Sequence, residues 1–367
     1  MKNNLKYLNA INLIDGVGSQ KLALLMAHFE NPEKIWNASF SEIVQSGIKK
    51  NLAEKIIQER NSIDPDKEWD KLQKENIAVV SLEDANYPQL LKEIHNPPYI
   101  LYAKGDISLF NSSSLAIVGS RKFTEYGKRV AEGFGRDLAN AGITIVSGLA
   151  LGIDAIAHSG ALEAEGKTIA ILGNGLDEKS IHPRTNFQLS QEIIRNGGLL
   201  VSEYPIGTTP LPGNFPARNR IMAGMSFGTI VIEAALESGS LITANLALDF
   251  NREVFAVPGP IFYPQSQGPH SLIKRGAKLA ASISDILEEL SFIKKTENKE
   301  VTARKEAYLP ASKEEECVLK TLGQEPTHVD TIVKLTRLET AIVSSVLTIL
   351  EINGIIKNIG GGNYIRT

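Results

Sequence analysis

The sequence predicts an α/β protein: a doubly wound, Rossmann-like parallel sheet as the core, an N-terminal helical module and a C-terminal winged-helix module. Three observations carry this expectation. Between residues 115 and 259 the β-branched runs LAIVGS, ITIVSG, TIAILG, GLLVSE, GTIVIEA and EVFAVPG alternate with helix-length segments. Continuous apolar strands separated by helices indicate a parallel sheet covered on both faces. Residues 1–65 show no strand alternation, and a charged stretch at 293–312, IKKTENKEVTARKEAYLPAS, sets off a short terminal segment. Such a stretch, poor in large apolar groups, reads as a linker.

The elements follow in chain order. Residues 1–65 read as short helices, with a glycine turn at Gly16–Val17–Gly18 in LNAINLIDGVGSQKLALLMAHF and a weaker copy around Gly47 in IVQSGIKKNLAEKIIQE. A turn of this kind leaves N–H groups exposed at a helix start, where a phosphate can be held. The pair resembles tandem helix-hairpin-helix units; the plainer alternative is a turn that only connects two helices. Residues 66–292 form the extended Rossmann-like domain. Its opening stretch at 77–106 is broken by Pro97 and Pro98, which mark a turn or junction. Beyond the linker, at 313–367, CVLKTL, THVDTIVKLT and TAIVSSVLTILEINGIIKNIGGGNYIRT give three helices and a β-hairpin around Gly360–Gly362, the order of a winged helix.

Composition narrows the function. With 43% apolar and 22% charged residues the chain has the balance of a soluble globular protein. No apolar run reaches the ~18 residues of a membrane span, and the first residues lack the features of a secretory signal, so a cytoplasmic protein is expected. The single Cys317 cannot form an internal disulfide or a zinc cluster, and the six histidines show no metal-ligand spacing. No metal or cofactor is expected. The first strand runs into GSRKFTEYG rather than GxGxxG, Ser147 and Gly148 stand where a ribose-binding acid belongs, and no GxxxxGK[ST] occurs. NAD and ATP are thereby demoted. A net charge of −3 requires that any nucleic-acid site be a local concentration of positive charge.

Right-handed crossovers place the C-terminal ends of the strands along one edge, where ligands of open α/β sheets bind. The loops there are GSR (119–121), SGLALGID (147–154), LGNGLDEKSIHPRTN (172–186), SEYPIGTTPLPGNFPARNR (202–220), EAALESGSLITA (233–244) and VPGP (257–260). Glycine admits close approach, and Ser or Thr at a helix start joins free N–H groups and the helix dipole in holding an anion. Phosphate is the expected guest. Arg121, Arg184, Arg218 and Arg220 are expected to converge on this edge, more cations than one mononucleotide needs. Their guanidinium groups suit both phosphate pairing and stacking on bases. The competing expectation is that some of them pair with Glu203, Glu233 or Asp154.

With these loops assembled, the chain resembles the DNA-processing protein A (DprA/Smf) family of bacterial natural transformation. The resemblance rests on AIVGSRKFTEYG, SGLALGIDAIAHSGAL, TIAILGNGLD, SEYPIGTTPLPGNFPARNRIMAGMS, VIEAALESGSLITANLA and VFAVPGPIF. It implies a Rossmann-like core that forms a homodimer, binds and protects single-stranded DNA without strong sequence preference, and helps load the RecA recombinase. It also implies that Arg121 and the Arg218, Asn219, Arg220 run contact DNA. The expected DNA- or phosphate-binding set is Gly119, Ser120, Arg121, Ser147, Gly148, Gly173, Arg184, Asn186, Arg218, Asn219, Arg220 and Ser240, with Lys274 ranked last; no catalytic residue is expected. Two departures stand out. Ile181, His182, Pro183, Arg184 and Asn186 replace the usual Tyr-Pro, basic residue and Asn, which removes an aromatic ring, and His270 replaces an Asn.

One alternative belongs to another class. The fold also resembles lysine-decarboxylase-like hydrolases that cut the N-glycosidic bond of nucleoside monophosphates, where GGxGTxxE places a carboxylate beside the ribose. Here the stretch is SFGTIVIEAALESGS, with Gly228, Thr229 and Glu233 but without the glycine pair. Arg218 would then hold phosphate and Glu233 would stabilise an oxocarbenium-like transition state. The favoured reading instead pairs Glu233 with a crevice arginine. In the winged-helix module the third helix offers Ser344, Ser345 and Thr348 outward and no Lys or Arg, with Ile342, Val343, Val346, Leu347 and Leu350 as core. An interaction module is expected, since a DNA-reading helix normally carries cations. Lys334, Arg337 and Lys357 are the nearby cations that oppose that reading.

Overall fold

The computed structural model describes residues 2–289, 312–322, 327–352 and 355–366. Apart from Ser312, the expected linker lies outside the described residues. The chain divides into two compact units, residues 1–290 and 291–367.

In the first unit the apolar runs become a nine-stranded sheet in the order β1-β2-β6-β5-β4-β3-β7-β8-β9. Its strands are β1 (Ala78–Ser81), β2 (Ile100–Gly105), β3 (Ser114–Val118), β4 (Thr144–Ser147), β5 (Thr168–Leu172), β6 (Leu199–Ser202), β7 (Gly228–Val231), β8 (Glu253–Ala256) and β9 (Lys278–Leu279). From β3 onward the pairings are parallel, while β2 pairs antiparallel with both β1 and β6. The six runs read from the sequence are β3 to β8. From β3 the chain steps outward through β4, β5 and β6, then returns to the other flank of β3 with β7. That reversal, between β3 and β7, is the switch point where an open sheet parts its loops into a crevice.

The helices follow the apolar periodicity: α1 (Lys2–Asn12), α2 (Ser19–His28), α3 (Pro32–Asn37), α4 (Phe40–Gln45), α5 (Lys50–Glu59), α6 (Pro65–Lys74), α7 (Gln89–Lys92), α8 (Glu125–Asn140), α9 (Ile153–Glu163), α10 (Phe187–Arg195), α11 (Asn214–Gly224), α12 (Gly239–Asp249) and α13 (Pro264–Lys274). Alternate strand residues bury on opposite faces. Val80, Leu101, Val146 and Val201 pack with Ile221 and Met222 of α11 and Ala244 of α12. Val79, Ile100, Tyr102 and Leu200 pack with Leu8, Leu22, Leu25 and Ile56 of the N-terminal helices. Those helices therefore share a core with the sheet. Gly16 and Gly47 both have φ +90°, which explains glycine at the two helix-joining turns. A polar seam completes the packing: Tyr102 Oη donates to Asn9 Oδ1 at 2.8 Å, and Ser19 Oγ accepts from the Tyr99 N–H at 3.0 Å while donating to Glu203.

The second unit holds α14 (Lys313–Thr321), β10 (Thr327–His328), α15 (Val329–Thr336), α16 (Thr340–Ile352), β11 (Ile356–Gly360) and β12 (Asn363–Arg366). Its sheet runs β10-β12-β11, antiparallel, the winged-helix arrangement expected. Val343, Val346, Leu347 and Leu350 of α16 are core, packed with Val318 and Ile332. Ile342 is not: it is 39% exposed, because the apolar stripe of α16 starts one residue later. Among the described residues, no helix is long and apolar enough to cross a membrane.

Candidate nucleic-acid interface

The crevice opens at the β3/β7 switch point and encloses about 710 Å³. One wall is the loop after β3, Gly119 to Lys122; the opposite wall is the start of α12, Ser238 to Thr243; Pro212, Phe215, Pro216 and Arg218 of the segment entering α11 line its floor with Ala150 and Asp154. The first wall is rigid. Ser120 donates its N–H to the Glu233 carbonyl at 2.7 Å and its hydroxyl to the Lys122 carbonyl at 2.7 Å, and Lys122 N–H returns to Ser120 Oγ at 3.0 Å. This bonded turn presents Arg121 and Lys122, both exposed. Among the described residues, no carboxylate lies within ion-pair distance of either. The Arg121 guanidinium lies 5.9 Å from the Phe215 ring centroid, and the His182 ring lies 6.1 Å from the same ring.

The floor is held differently. Arg218 is 4% exposed and donates Nη1 to the Gly148 carbonyl at 2.7 Å and to the Ile171 carbonyl. A Cβ at 148 would collide with that guanidinium, which explains the glycine. Burial lowers the Arg218 guanidinium to about 10, with Asp154 acting in the opposite sense; it remains cationic at neutral pH. Burial also raises the Asp154 carboxyl above its ordinary range, opposed by Arg218 and by the Gly148 N–H, which donates to Oδ2 at 3.1 Å. The second wall is a helix start. Ser238 caps α12, Ser240 Oγ lies 2.5 Å from Ser238 Oγ, and Asn219 Nδ2 donates to the Gly239 carbonyl at 3.3 Å. Thr243 lines this wall, and its buried hydroxyl has no hydrogen-bond partner among the described residues.

A dipole-bearing helix start, an unpaired guanidinium over an aromatic ring and walls that carry Gly119 and Gly239 can together hold an anionic chain that carries rings. Residues 78–291 match the family described as DNA recombination-mediator protein A, and residues 302–362 match the DprA winged helix domain. The chain belongs to the DNA recombination-mediator protein A family. Among its relatives, Protein Smf of Escherichia coli (strain K12) is 40% identical over 329 residues, covering 88% of this chain and 86% of its own. DNA processing protein DprA of Bacillus subtilis (strain 168) is 43% identical over 217 residues, 59% of this chain and 72% of its own. In solved structures, DNA processing protein A of Streptococcus pneumoniae superposes with a TM-score of 0.67 at 37% identity, covering 77% of this chain and 97% of that one. The Helicobacter pylori DNA processing protein A, whose structure describes a single-stranded DNA binding mode, gives 0.53 at 34% identity, covering 58% and 95%.

Within this DprA-type scaffold the expected site residues divide. Gly119, Ser120, Arg121, Arg218, Asn219 and Ser240 line the crevice. Gly148 and Gly173 support it from behind: the Gly173 carbonyl accepts from Asn214 Nδ2 at 3.0 Å, fixing the start of α11. Asn186 Nδ2 donates to the Leu149 and Ala150 carbonyls at 2.9 and 3.2 Å, so it braces the same floor. Arg184 is exposed on the neighbouring loop, 4.7 Å from the Phe187 ring centroid, and donates to the Glu178 carbonyl.

Four expectations are corrected. Arg220 does not converge with the others; it points to the seam beneath the N-terminal helices and pairs with Glu203, which Ser19 also holds. Ser147 is fully buried and donates its hydroxyl to the Ile117 carbonyl at 2.6 Å, so it faces the sheet. Lys274 lies in a separate depression with Leu236, Ile261, His270 and Ile273. Glu233 pairs with no crevice arginine; it is 2% exposed and accepts the Thr124 N–H at 2.9 Å and the Thr124 hydroxyl at the start of α8. Sequence reasoning passed over Lys122, the cation beside Arg121, and Phe215, the ring in GNFPARNR between the glycine turn and the arginines. A ring one to three residues from paired cations in a crevice loop was the available signal.

Proposed function

We propose that the crevice binds single-stranded DNA with little sequence preference, Arg121 and Lys122 pairing with phosphates and Phe215 offering a face to a base. On this reading the protein works in the cytoplasm, protects incoming strands during natural transformation, hands them to the RecA recombinase, and performs no chemistry on them. The observation that carries the reading is Arg121: exposed, without a carboxylate partner among the described residues, and set over an aromatic ring at the sheet's switch point. An unpaired guanidinium over a ring suits backbone and base together, and stacking tolerates any base. Membership in a recombination-mediator family and the single-stranded DNA binding of the Helicobacter pylori relative support it. Homodimerisation through the Rossmann-like domain is part of the reading; Leu236, Ile261, Phe262 and Leu279 are exposed apolar groups available for it.

Glu233 bears on the hydrolase alternative. A carboxylate whose two oxygens each accept from Thr124 at a helix start, and which does not line the crevice, is poorly placed to meet a ribose. The test pairs two assays. Labelled dT, dA and dC oligonucleotides should bind with affinities of the same order, and nucleoside monophosphates should release no free base. Absence of saturable oligonucleotide binding contradicts the DNA reading, and rapid base release contradicts the non-enzymatic one.

A further inference from the structure

The loop that carries Ala150 into the crevice floor is under strain, and one of the two groups that hold it, Arg218, is one that a sequence reading assigns to DNA. Leu149 has φ +55°, a left-handed conformation that a leucine keeps only where its surroundings over-determine it, and Gly152 follows at φ +84°. The peptide planes flanking Gly148 are gripped on both sides. Its N–H donates to Asp154 Oδ2 at 3.1 Å, and its carbonyl accepts Arg218 Nη1 at 2.7 Å. The same Nη1 reaches the Ile171 carbonyl, joining the ends of β4 and β5. Arg218, with 4% of its surface exposed, and Asp154, with 6%, face inward.

We propose that Arg218 and Asp154 are positioning residues that clamp Gly148 and preorganise residues 148–152, the loop whose Ala150 lines the floor of the crevice, for single-stranded DNA, rather than groups that pair with phosphate. The proposal rests on the single-stranded DNA reading for its ligand, but the clamp itself is a property of the free protein. Preorganised loops bind without first losing conformational freedom. A loop released from its clamp must pay that ordering free energy on each encounter, at any ionic strength. A lost phosphate contact behaves otherwise, because it removes a counterion-release contribution and changes the salt dependence.

The experiment has two arms, both on the full chain. In the absence of DNA, amide hydrogen exchange is followed by mass spectrometry in wild type and in Arg218→Lys, which keeps the charge but loses the planar fork. Peptides spanning 147–153 are expected to exchange on the order of tenfold faster while those of β3 and β5 stay protected. A uniform rise across the chain, or no rise at 147–153, overturns the clamp. In the second arm, binding of a labelled dT oligonucleotide is titrated against salt. Arg218→Met should bind on the order of tenfold more weakly at every salt concentration, with an unchanged slope of log K against log salt. Loss of about 0.7 from that slope, the amount one phosphate contact contributes for a single strand, overturns the proposal. Asp154→Ala, which removes the oxygen that accepts the Gly148 N–H, gives an independent check. Removing a negative charge from an anion-binding crevice should tighten binding if Coulomb attraction alone governs; the clamp requires weaker binding, and tightening overturns it. A wild type that fails to bind single-stranded DNA removes the reading that the clamp serves, whereas the exchange arm reports on the clamp regardless.

Discussion

The crevice and the seam beneath the N-terminal helices are built from the same residue types and use them in opposite ways. Arg218 and Arg220 lie two positions apart on α11, a separation that points side chains to nearly opposite sides of a helix. Arg220 meets a carboxylate, Glu203, in a mostly enclosed ion pair that Ser19 of α2 extends. Its charge is spent in joining the N-terminal helices to the sheet. Arg121, in the loop after β3, lies over an aromatic ring and has no carboxylate partner among the described residues. A chain of net charge −3 can thus still offer a cationic site: Arg220 is neutralised by Glu203, whereas Arg121 and Lys122 have no carboxylate within ion-pair distance among the described residues. Availability of the partner-free charge, more than the number of arginines, marks the interface.

Several experiments break or sharpen that contrast. The largest expected effect is at the seam. Arg220→Met leaves Glu203 enclosed without its cation and should cost about 3 kcal/mol of stability, in the range seen when one partner of a buried pair is removed. Urea unfolding reads this out, and the salt dependence of single-stranded DNA binding should be unchanged; a variant of wild-type stability with a reduced slope would place Arg220 on the DNA side. Next is Phe215→Ala. If the ring receives a base, affinity should fall by about 1–3 kcal/mol, equally at low and high salt, as read by fluorescence anisotropy; a variant that binds like wild type removes the stacking role.

A smaller effect concerns the buried polar groups behind the crevice. His158 Nδ1 lies 2.6 Å from Thr168 Oγ1, and burial lowers the imidazole from 6.5 to about 3. The folded state then refuses a proton that the unfolded chain accepts, so stability is full above 6.5 and declines as pH falls toward 3. The decline approaches about 1.4 kcal/mol per pH unit well below the unfolded value. Asp154, raised by burial, acts with the opposite sign, and its contribution cancels when wild type is compared with His158→Gln. That variant should show a flatter loss of stability between pH 7 and pH 5 in urea titrations; parallel curves would mean that His158 is protonated in the fold. The smallest effect is expected from removing residues 310–367. The outward face of α16 carries Ser344, Ser345 and Thr348 and no Lys or Arg, while Lys334 and Arg337 are exposed on and just beyond α15. Single-stranded affinity should stay within about threefold of wild type, as befits a module without the electrostatic footprint of a DNA reader.

The sequence carried the parallel core well, because strands buried on both faces write themselves as continuous apolar runs. It also carried the location of the crevice, since the loops after β3 and β7 flank the topological reversal whatever the side chains do. It did not carry the short edge strands: β9 has two residues, and β1 and β2 lie in a stretch interrupted by Pro97 and Pro98. Side-chain direction was the harder matter. Arg218 and Arg220 are equivalent in a list of loop cations, and only the helix phase of α11, together with Ser19 and Glu203 arriving from distant segments, separates them. Ser147 ends a strand and could face either way; the Ile117 carbonyl decides it. Phe215 was concealed among the glycine, proline and arginine that make its loop conspicuous.

The central claim is that Arg121 and Lys122, without carboxylate partners among the described residues, pair with DNA phosphates. It is tested most directly by the salt dependence of dT oligonucleotide binding to wild type and to the Arg121→Ala/Lys122→Ala double variant. Two lost phosphate contacts should make the slope of log K against log salt shallower by about 1.4, together with weaker binding at low salt. A double variant whose slope and affinity both match wild type would contradict the account.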